Sequence, residues 1–290
     1  MENKNRYIGY IAKFLGFILC FALIYFKDLN LQFIDGIEND LRFAGITSGS
    51  LLLLDLVIFI FENSKRLKTI FISFNPFKRF KKLRLSFSYL LKIEKEDYLL
   101  VYNELNNRYV PIGGVYKYDP KETYKLFEKC RIERDTKTIV TNGEYDLRIF
   151  LNDRFKLKNI LAWFDKFENR EVDPWREFHE ELIAPGILSK DDFQYINYTK
   201  LFEINTGIHK DKYRKNQDSL KVFTIFKVDD YNNIHNQALE SLKVKHDNRV
   251  IWASAEDIRN GSCTVNGTKF IISPTAKLLL NRYEDPKEYN

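Results

Sequence analysis

The stretch Asp173–Gly186, read DPWREFHEELIAPG, constrains the fold more than any other part of the chain. Asp173 can accept hydrogen bonds from the free N–H groups of a helix start, and the proline after it suits the first helical position. Glu177, Glu180 and Glu181 share one face of that helix, because they are spaced i, i+3 and i+4. Crowded carboxylates repel one another, and Mg²⁺ compensates this well because it prefers hard oxygen ligands. An acidic helix facing solvent is the alternative.

The run REFHEE, which starts at Arg176, resembles the Nudix box, G-x5-E-x7-R-E-U-x-E-E-x-G-U, where U is apolar. Glu168 lies eight positions before Arg176, where the box has its first glutamate. Two positions depart from the pattern, since Ala162 and Ile183 stand where the box has glycines. These departures leave open whether the chain is an enzyme.

The resemblance implies roles for the box residues. Glu177, Glu180 and Glu181 would ligate Mg²⁺, and in an active member they would serve catalysis while water attacks a diphosphate. Arg176 would brace Glu168 or another carboxylate.

Two adjacent glycines lie upstream of the box, in the sequence RYVPIGGVYKY. Gly113 and Gly114 allow an unusual backbone turn and the close approach of a ligand. Nudix domains have a similar turn before the box. Gly114 precedes Arg176 by 62 positions, whereas the box places its first glycine 14 before the arginine, so about 48 residues would be inserted.

Two apolar runs near the N-terminus predict a pair of transmembrane helices. Residues 7–26 and 43–61 each carry one charge, Lys13 and Asp55, and each is long enough to cross the hydrocarbon core. The first run could instead be a signal peptide, but no small-residue cleavage site follows it.

The basic residues predict how this hairpin is oriented. Arginines and lysines are concentrated before the first run and in residues 65–84, which indicates that both ends of the chain are cytoplasmic. Lys13 and Asp55 would then lie at the same membrane depth. They form either a pair that sets the register of an assembly, or a snorkelling lysine and a hydrated aspartate.

A basic loop follows the box helix. Lys210, Tyr213 and Arg214 lie within residues 207–219, where cations and an aromatic ring near an acidic metal helix would hold phosphates and stack a base. A solvated loop is the alternative.

The predicted architecture is α+β. It has a transmembrane hairpin over residues 1–64, a basic juxtamembrane linker over 65–84, and a Nudix-like α/β/α domain over 85–290 with a mixed sheet and an insertion before the box helix. Three cysteines without a C-x-x-C pair disfavour a zinc site and suit a reducing cytoplasm.

This combination resembles the membrane-anchored Nudix effectors of bacterial CBASS anti-phage systems, and the SMODS-associated Nudix family in particular. The resemblance implies an inner-membrane protein that senses a cyclic oligonucleotide made by a cognate nucleotidyltransferase (CD-NTase). Homo-oligomerisation of its helices would disrupt the membrane and cause abortive infection. Polymeric nucleic acid is not an expected partner. A membrane-tethered, Mg²⁺-dependent Nudix hydrolase of nucleoside diphosphate derivatives and a membrane scaffold are the alternatives.

Overall fold

The computed structural model separates the chain into two compact units, residues 1–67 and residues 68–290. It describes nearly all of the second unit and a few positions of the first. The described residues are 47, 49, 51, 55, 64–135, 140–141, 143–211, 214, 216–229, 232–245, 247–265 and 267–280.

Most of the predicted membrane hairpin lies outside the described residues, and so does Lys13. Residues 47, 49, 51 and 55 are helical. Within the described positions, no helix combines the length and the apolar character required to cross a bilayer. The hairpin and the pairing of Lys13 with Asp55 therefore stay predictions.

The second unit is built on a mixed sheet. Its strands in chain order are β1 Leu83–Lys92, β2 Tyr98–Asn103, β3 Arg108–Val115, β4 Lys117–Tyr118, β5 Ile132–Arg134, β6 Val140–Thr141, β7 Glu144–Asp146, β8 Arg148–Leu151, β9 Asn197–Asn205, β10 His209–Lys210, β11 Asp218–Asp229, β12 Val250–Ala253, β13 Ser262–Val265 and β14 Thr268–Ile271. The helices are α1 Pro120–Cys130, α2 Leu157–Asp165, α3 Trp175–Phe178, α4 Asn233–Val244 and α5 Ala255–Asn260. Short 3-10 turns span Pro76–Lys78, Arg154–Lys156 and Pro274–Leu279.

β1 and β11 form the centre of the sheet. They pair in parallel over ten residues, from Leu83 opposite Asp218 to Lys92 opposite Lys227. Both strands are buried along most of their length, as expected for strands covered on two faces. Antiparallel pairs extend the sheet on either side, in the order β10-β11-β1-β3-β2-β12. The predicted mixed sheet is confirmed.

The hairpin at the start of the domain differs from expectation. The sequence pattern predicts that strands at 88–93 and 98–103 pair directly, but β3 lies between β1 and β2. The turn is formed instead by Glu104–Asn107, where Asn107 has a φ of 51°. As a result Gly113 and Gly114 lie opposite Leu90 and Tyr89 in the middle of the sheet.

The segment between β3 and α3 contributes to the main sheet as well as to its surroundings. β8 pairs with the first half of β1, on the edge whose second half is paired with β3. β6 and β7 form a hairpin around Gly143, as the Asn-Gly sequence at 142–143 predicts. α2 packs its buried residues, among them Ile160 and Phe164, into the larger of two apolar clusters. A second cluster lies beneath α5 and the C-terminal 3-10 turn.

Candidate functional site

The box helix is stabilised by residues within its own stretch of sequence. The Asp173 carboxylate accepts a hydrogen bond from the Trp175 N–H at 2.9 Å. α3 then continues over His179–Ile183 as a π-helix, a rare form that is often found at functional sites. Phe178 and Leu182 are buried in the main core, and this packing fixes the helix that carries the carboxylates.

The two glycines of β3 allow this helix to lie directly on the sheet. The Gly113 N–H donates to Glu181 Oε2 at 3.0 Å. A side chain on Gly114 would overlap the carboxylate of Glu177, so only glycine leaves room for it. Gly113 has a φ of 147°, a conformation that favours glycine. The structure therefore brings together both predicted glycines and two of the three box glutamates.

Arg176 is the centre of the polar contacts. Its guanidinium donates to Glu177 Oε1 at 2.6 Å and to Glu180 Oε2 at 3.1 Å. It also donates to the Val115 carbonyl at 3.1 Å, which ties the helix to β3. All three box glutamates and Arg176 thus form one cluster over the glycine pair.

The acid that Arg176 braces is Glu171, so the structure matches the second alternative of the prediction, another carboxylate in place of Glu168. Arg176 Nε donates to Glu171 Oε1 at 2.9 Å, whereas Glu168 is exposed. Glu171 also accepts hydrogen bonds from the Tyr89 hydroxyl and the Lys117 N–H, at 3.2 and 3.0 Å.

The loop before the helix explains this difference. Phe167 and Asn169 both have positive φ, at 59° and 58°, and the chain doubles back there. Arg170 then anchors the loop, because its buried guanidinium donates to the Phe164 carbonyl at 2.9 and 2.7 Å. This contact carries Glu171 into the cluster. Asn169, which tolerates a left-handed backbone, is the sequence signal for the turn.

Ala162 and Ile183, which stand where the box has glycines, do not form the turns expected of those glycines. Ala162 is exposed within α2 and lies outside any turn that leads to the box helix. Ile183 is buried and is the last residue of the helix, and Gly186 in the turn that follows has a φ of 71°. Gly114 is the glycine that contacts the helix.

Burial and repulsion perturb the titration of the cluster. Burial, followed by repulsion from Glu177, raises the pKa of Glu181 to about 8. Burial also raises the pKa of Glu177, although Arg176 opposes the shift. Burial lowers the pKa of Arg176, but its hydrogen bond to Glu171 and the nearby carboxylates raise it above the ordinary value overall.

These shifts predict a pH dependence of stability. The folded state holds a proton on Glu181 between pH 4.5 and about 8, where the unfolded state does not. The contribution of Glu181 to the free energy of unfolding should therefore be highest below pH 4.5 and decrease as the pH rises to about 8, by up to about 1.4 kcal/mol per pH unit. Denaturant unfolding without divalent cations, at intervals from pH 5 to 8.5, measures the slope.

Glu181→Gln should flatten this slope, since the amide cannot titrate. Glu180→Gln is the matched control, because that side chain is about half exposed. Equal slopes in Glu181→Gln and in the unsubstituted protein would contradict the assignment.

The donor set suits a hard divalent cation in its chemistry, since carboxyl oxygens outnumber the single guanidinium. The side chains are not arranged around an ion. Throughout the described part of the chain, no three His, Cys, Asp or Glu residues are grouped as metal ligands.

Lys210 and Arg214 lie elsewhere in the domain, which corrects their expected proximity to the box helix. Lys210 pairs with Asp218 at 2.8 Å, and Arg214 pairs with Asp135 at 2.8 Å. Asp218 faces Leu83, six residues along β1 from the position opposite Gly114, which is about 20 Å of strand. Tyr213 is outside the described residues.

A family model described as "SMODS-associated NUDIX domain" matches residues 82–280. No curated protein and no solved structure matches the chain.

Proposed function

The chain belongs to the SMODS-associated NUDIX family, and from this premise we propose that it is the membrane effector of a CBASS-type antiviral system. In this proposal the Nudix domain senses a cyclic oligonucleotide made by a cognate CD-NTase. Family membership over residues 82–280 is the observation that carries the proposal.

The geometry of the box cluster supports a ligand that contains phosphate. The carboxylates of Glu171, Glu177 and Glu180 bind Arg176, and that of Glu181 binds the Gly113 N–H, beside the bare backbone of Gly114. A phosphate alone would be repelled by these groups. A phosphate accompanied by Mg²⁺ would be attracted, because the cation neutralises both sides.

Glu177, Glu180 and Glu181 are the residues that would hold Mg²⁺. The ion would supply positive charge to the phosphate oxygens. Arg176 holds the Glu177 and Glu180 carboxylates through hydrogen bonds, and the Gly113 N–H orients Glu181. Each of these contacts must loosen or shift for the oxygens to reach an ion, so ligand entry and rearrangement of the cluster are coupled.

The two apolar runs would act as the output. We place them as two spans in the inner membrane, with both termini in the cytoplasm, and we assign membrane disruption to their assembly in a homo-oligomer. Lys13 and Asp55 would pair within or between hairpins. A ligand that changes how the Nudix domains associate would change how the spans associate.

A membrane-tethered Nudix hydrolase is the second candidate, and the clustering of all three box glutamates favours it. The fold at the end of the helix favours the sensor, because the buried Ile183 and a π-helix occupy the position of the second box glycine. In the hydrolase, the same carboxylates would serve catalysis.

A thermal-shift screen of the full chain in detergent, with cyclic di- and trinucleotides and Mg²⁺, tests the sensor. A nucleotide at 100 times its dissociation constant should stabilise the protein by about 2.7 kcal/mol. Replacing Glu177 and Glu181 together with glutamine should remove the Mg²⁺-dependent part of this shift.

Ordinary Nudix substrates provide the contrasting result. Mg²⁺-dependent release of products from nucleoside diphosphate derivatives, with no melting shift from any cyclic nucleotide, would replace the sensor by the hydrolase. If the protein shows neither a melting shift with cyclic nucleotides nor hydrolysis, the membrane scaffold is the remaining alternative.

A further inference from the structure

Residues 68–73 form a helical segment whose polar side faces the domain. Thr69 and Ser73 are each 1% exposed, whereas Phe71 between them is 83% exposed. Thr69 Oγ1 donates to Asn205 Oδ1 at 3.3 Å, which fixes this orientation. Ile70 is partly buried against the main apolar cluster. Soluble proteins normally turn a phenylalanine of a surface helix inward as well, so the exposed Phe71 indicates an apolar surrounding outside.

The exposed aromatic side chains continue past this segment. Phe77 is 97% exposed and Phe80 is 63% exposed, on either side of the end of the 3-10 turn Pro76–Lys78. Phe74 is 40% exposed, and it borders a groove shared with Phe71 and Phe77.

This exposure belongs to a fixed structure. The Asn75 side chain accepts a hydrogen bond from the Phe77 N–H at 3.0 Å. Arg79 binds both carboxylate oxygens of Asp153, at 3.2 and 3.1 Å, and the Phe74 ring contacts that of Phe155 at 5.4 Å between centroids. The exposed rings are therefore presented by a braced turn.

All charged side chains of residues 68–82 are positive. Residues 68–82 contain five lysines and arginines and no carboxylate. Lys68 and Lys78 are exposed beside the phenylalanines, and the Lys158 ammonium lies 5.9 Å from the centre of the Phe74 ring. Interleaved aromatic and basic side chains match the boundary between acyl chains and anionic headgroups.

We propose that Phe71, Phe74, Phe77 and Phe80, flanked by Lys68 and Lys78, form an aromatic–basic surface that docks on an anionic bilayer. The Phe71 and Phe77 rings enter the acyl boundary, and the lysines contact headgroup phosphates. This inference rests on the membrane location in the proposed function and adds a defined face of the Nudix domain to it. A second copy of the chain is the competing occupant.

Spin labels on the full chain in vesicles distinguish these occupants. Cysteine is placed at Phe77 or, as the matched control, at Leu105, which is 96% exposed in the turn between β2 and β3. Cys20 is replaced by serine, and the buried Cys130 and Cys263 are kept. Collision rates with oxygen, which concentrates in acyl chains, and with a water-soluble nickel chelate are then compared.

Docking predicts that the label at Phe77 gains oxygen access and loses nickel access in phosphatidylglycerol vesicles, compared with phosphatidylcholine vesicles. The label at Leu105 should stay open to nickel in both. Loss of both accessibilities at Phe77 would show a second copy, and nickel access equal to that at Leu105 would show a free surface. Either result overturns the proposal.

Extraction with alkaline carbonate separates this inference from the proposed function. A protein that resists extraction but carries a nickel-accessible Phe77 label keeps its spans and lacks the docking face. A protein that is extracted, yet shows the oxygen signature at Phe77, has the docking face without the spans.

Discussion

Replacing Arg154 with methionine should lower the free energy of unfolding by about 3–5 kcal/mol, the usual cost of breaking a buried ion pair by removing one partner. Arg154 is 1% exposed and contacts Asp218 Oδ2 at 2.6 Å. It also donates to the carbonyls of Lys81 and Lys82, at 2.7 and 3.3 Å. Methionine fills similar space but removes the buried donor that these acceptors share, and Asp218 keeps Lys81 and Lys210, which are more exposed.

Tryptophan fluorescence during urea unfolding measures this loss, because all three tryptophans, Trp163, Trp175 and Trp252, lie in the unit of residues 68–290. Lys82→Met is the matched control. It breaks the Lys82–Glu133 pair, whose side chains are 50% and 55% exposed, and should cost less than about 1 kcal/mol. Equal costs for the two variants would contradict the buried position of Arg154.

Gly113→Ala is expected to destabilise the domain by roughly 2–5 kcal/mol, combining backbone strain with overpacking. The new methyl group would overlap the Tyr89 carbonyl oxygen and lie 2.9 Å from Leu90 Cα, both of which are backbone atoms of β1. The φ of 147° adds strain. Relief requires β1 and β3 to separate at the point where Glu181 is held.

Gly267→Ala separates strain from crowding in the same urea experiment. Gly267 also has positive φ, at 79°, but an added Cβ would meet no atom of the structure within 4 Å. Alanine there should cost about 1–2 kcal/mol. A Gly113→Ala variant that is no less stable than Gly267→Ala would show that the two strands do not approach as described.

The sequence predicts the box helix well because its determinants are local. Asp173 contacts the helix start, and Phe178 and Leu182, whose spacing of four residues puts them on one side of a helix, are both buried. The partner of Arg176 could not be predicted from box spacing, because it depends on how residues 166–174 turn. That turn is fixed by Arg170, whose guanidinium lies 3.9 Å from the Phe164 ring centroid.

The placement of Lys210 and Arg214 depends on strand register, which composition does not report. A basic loop that follows an acidic helix in sequence can lie at either end of the sheet. Here the ten-residue parallel pairing of β1 with β11 puts the loop at the end where β1 begins, beside Asp135 and Asp218.

The same pairing has a consequence for synthesis on the ribosome. β11 begins 135 residues after β1, so at about 5–20 residues per second the nascent β1 waits roughly 7–27 s for this neighbour. β3 and β8 emerge earlier and can cover its opposite edge. Until β11 arrives, the remaining edge is open to a neighbouring nascent chain, and slowing translation between the two strands should increase aggregation of newly made protein.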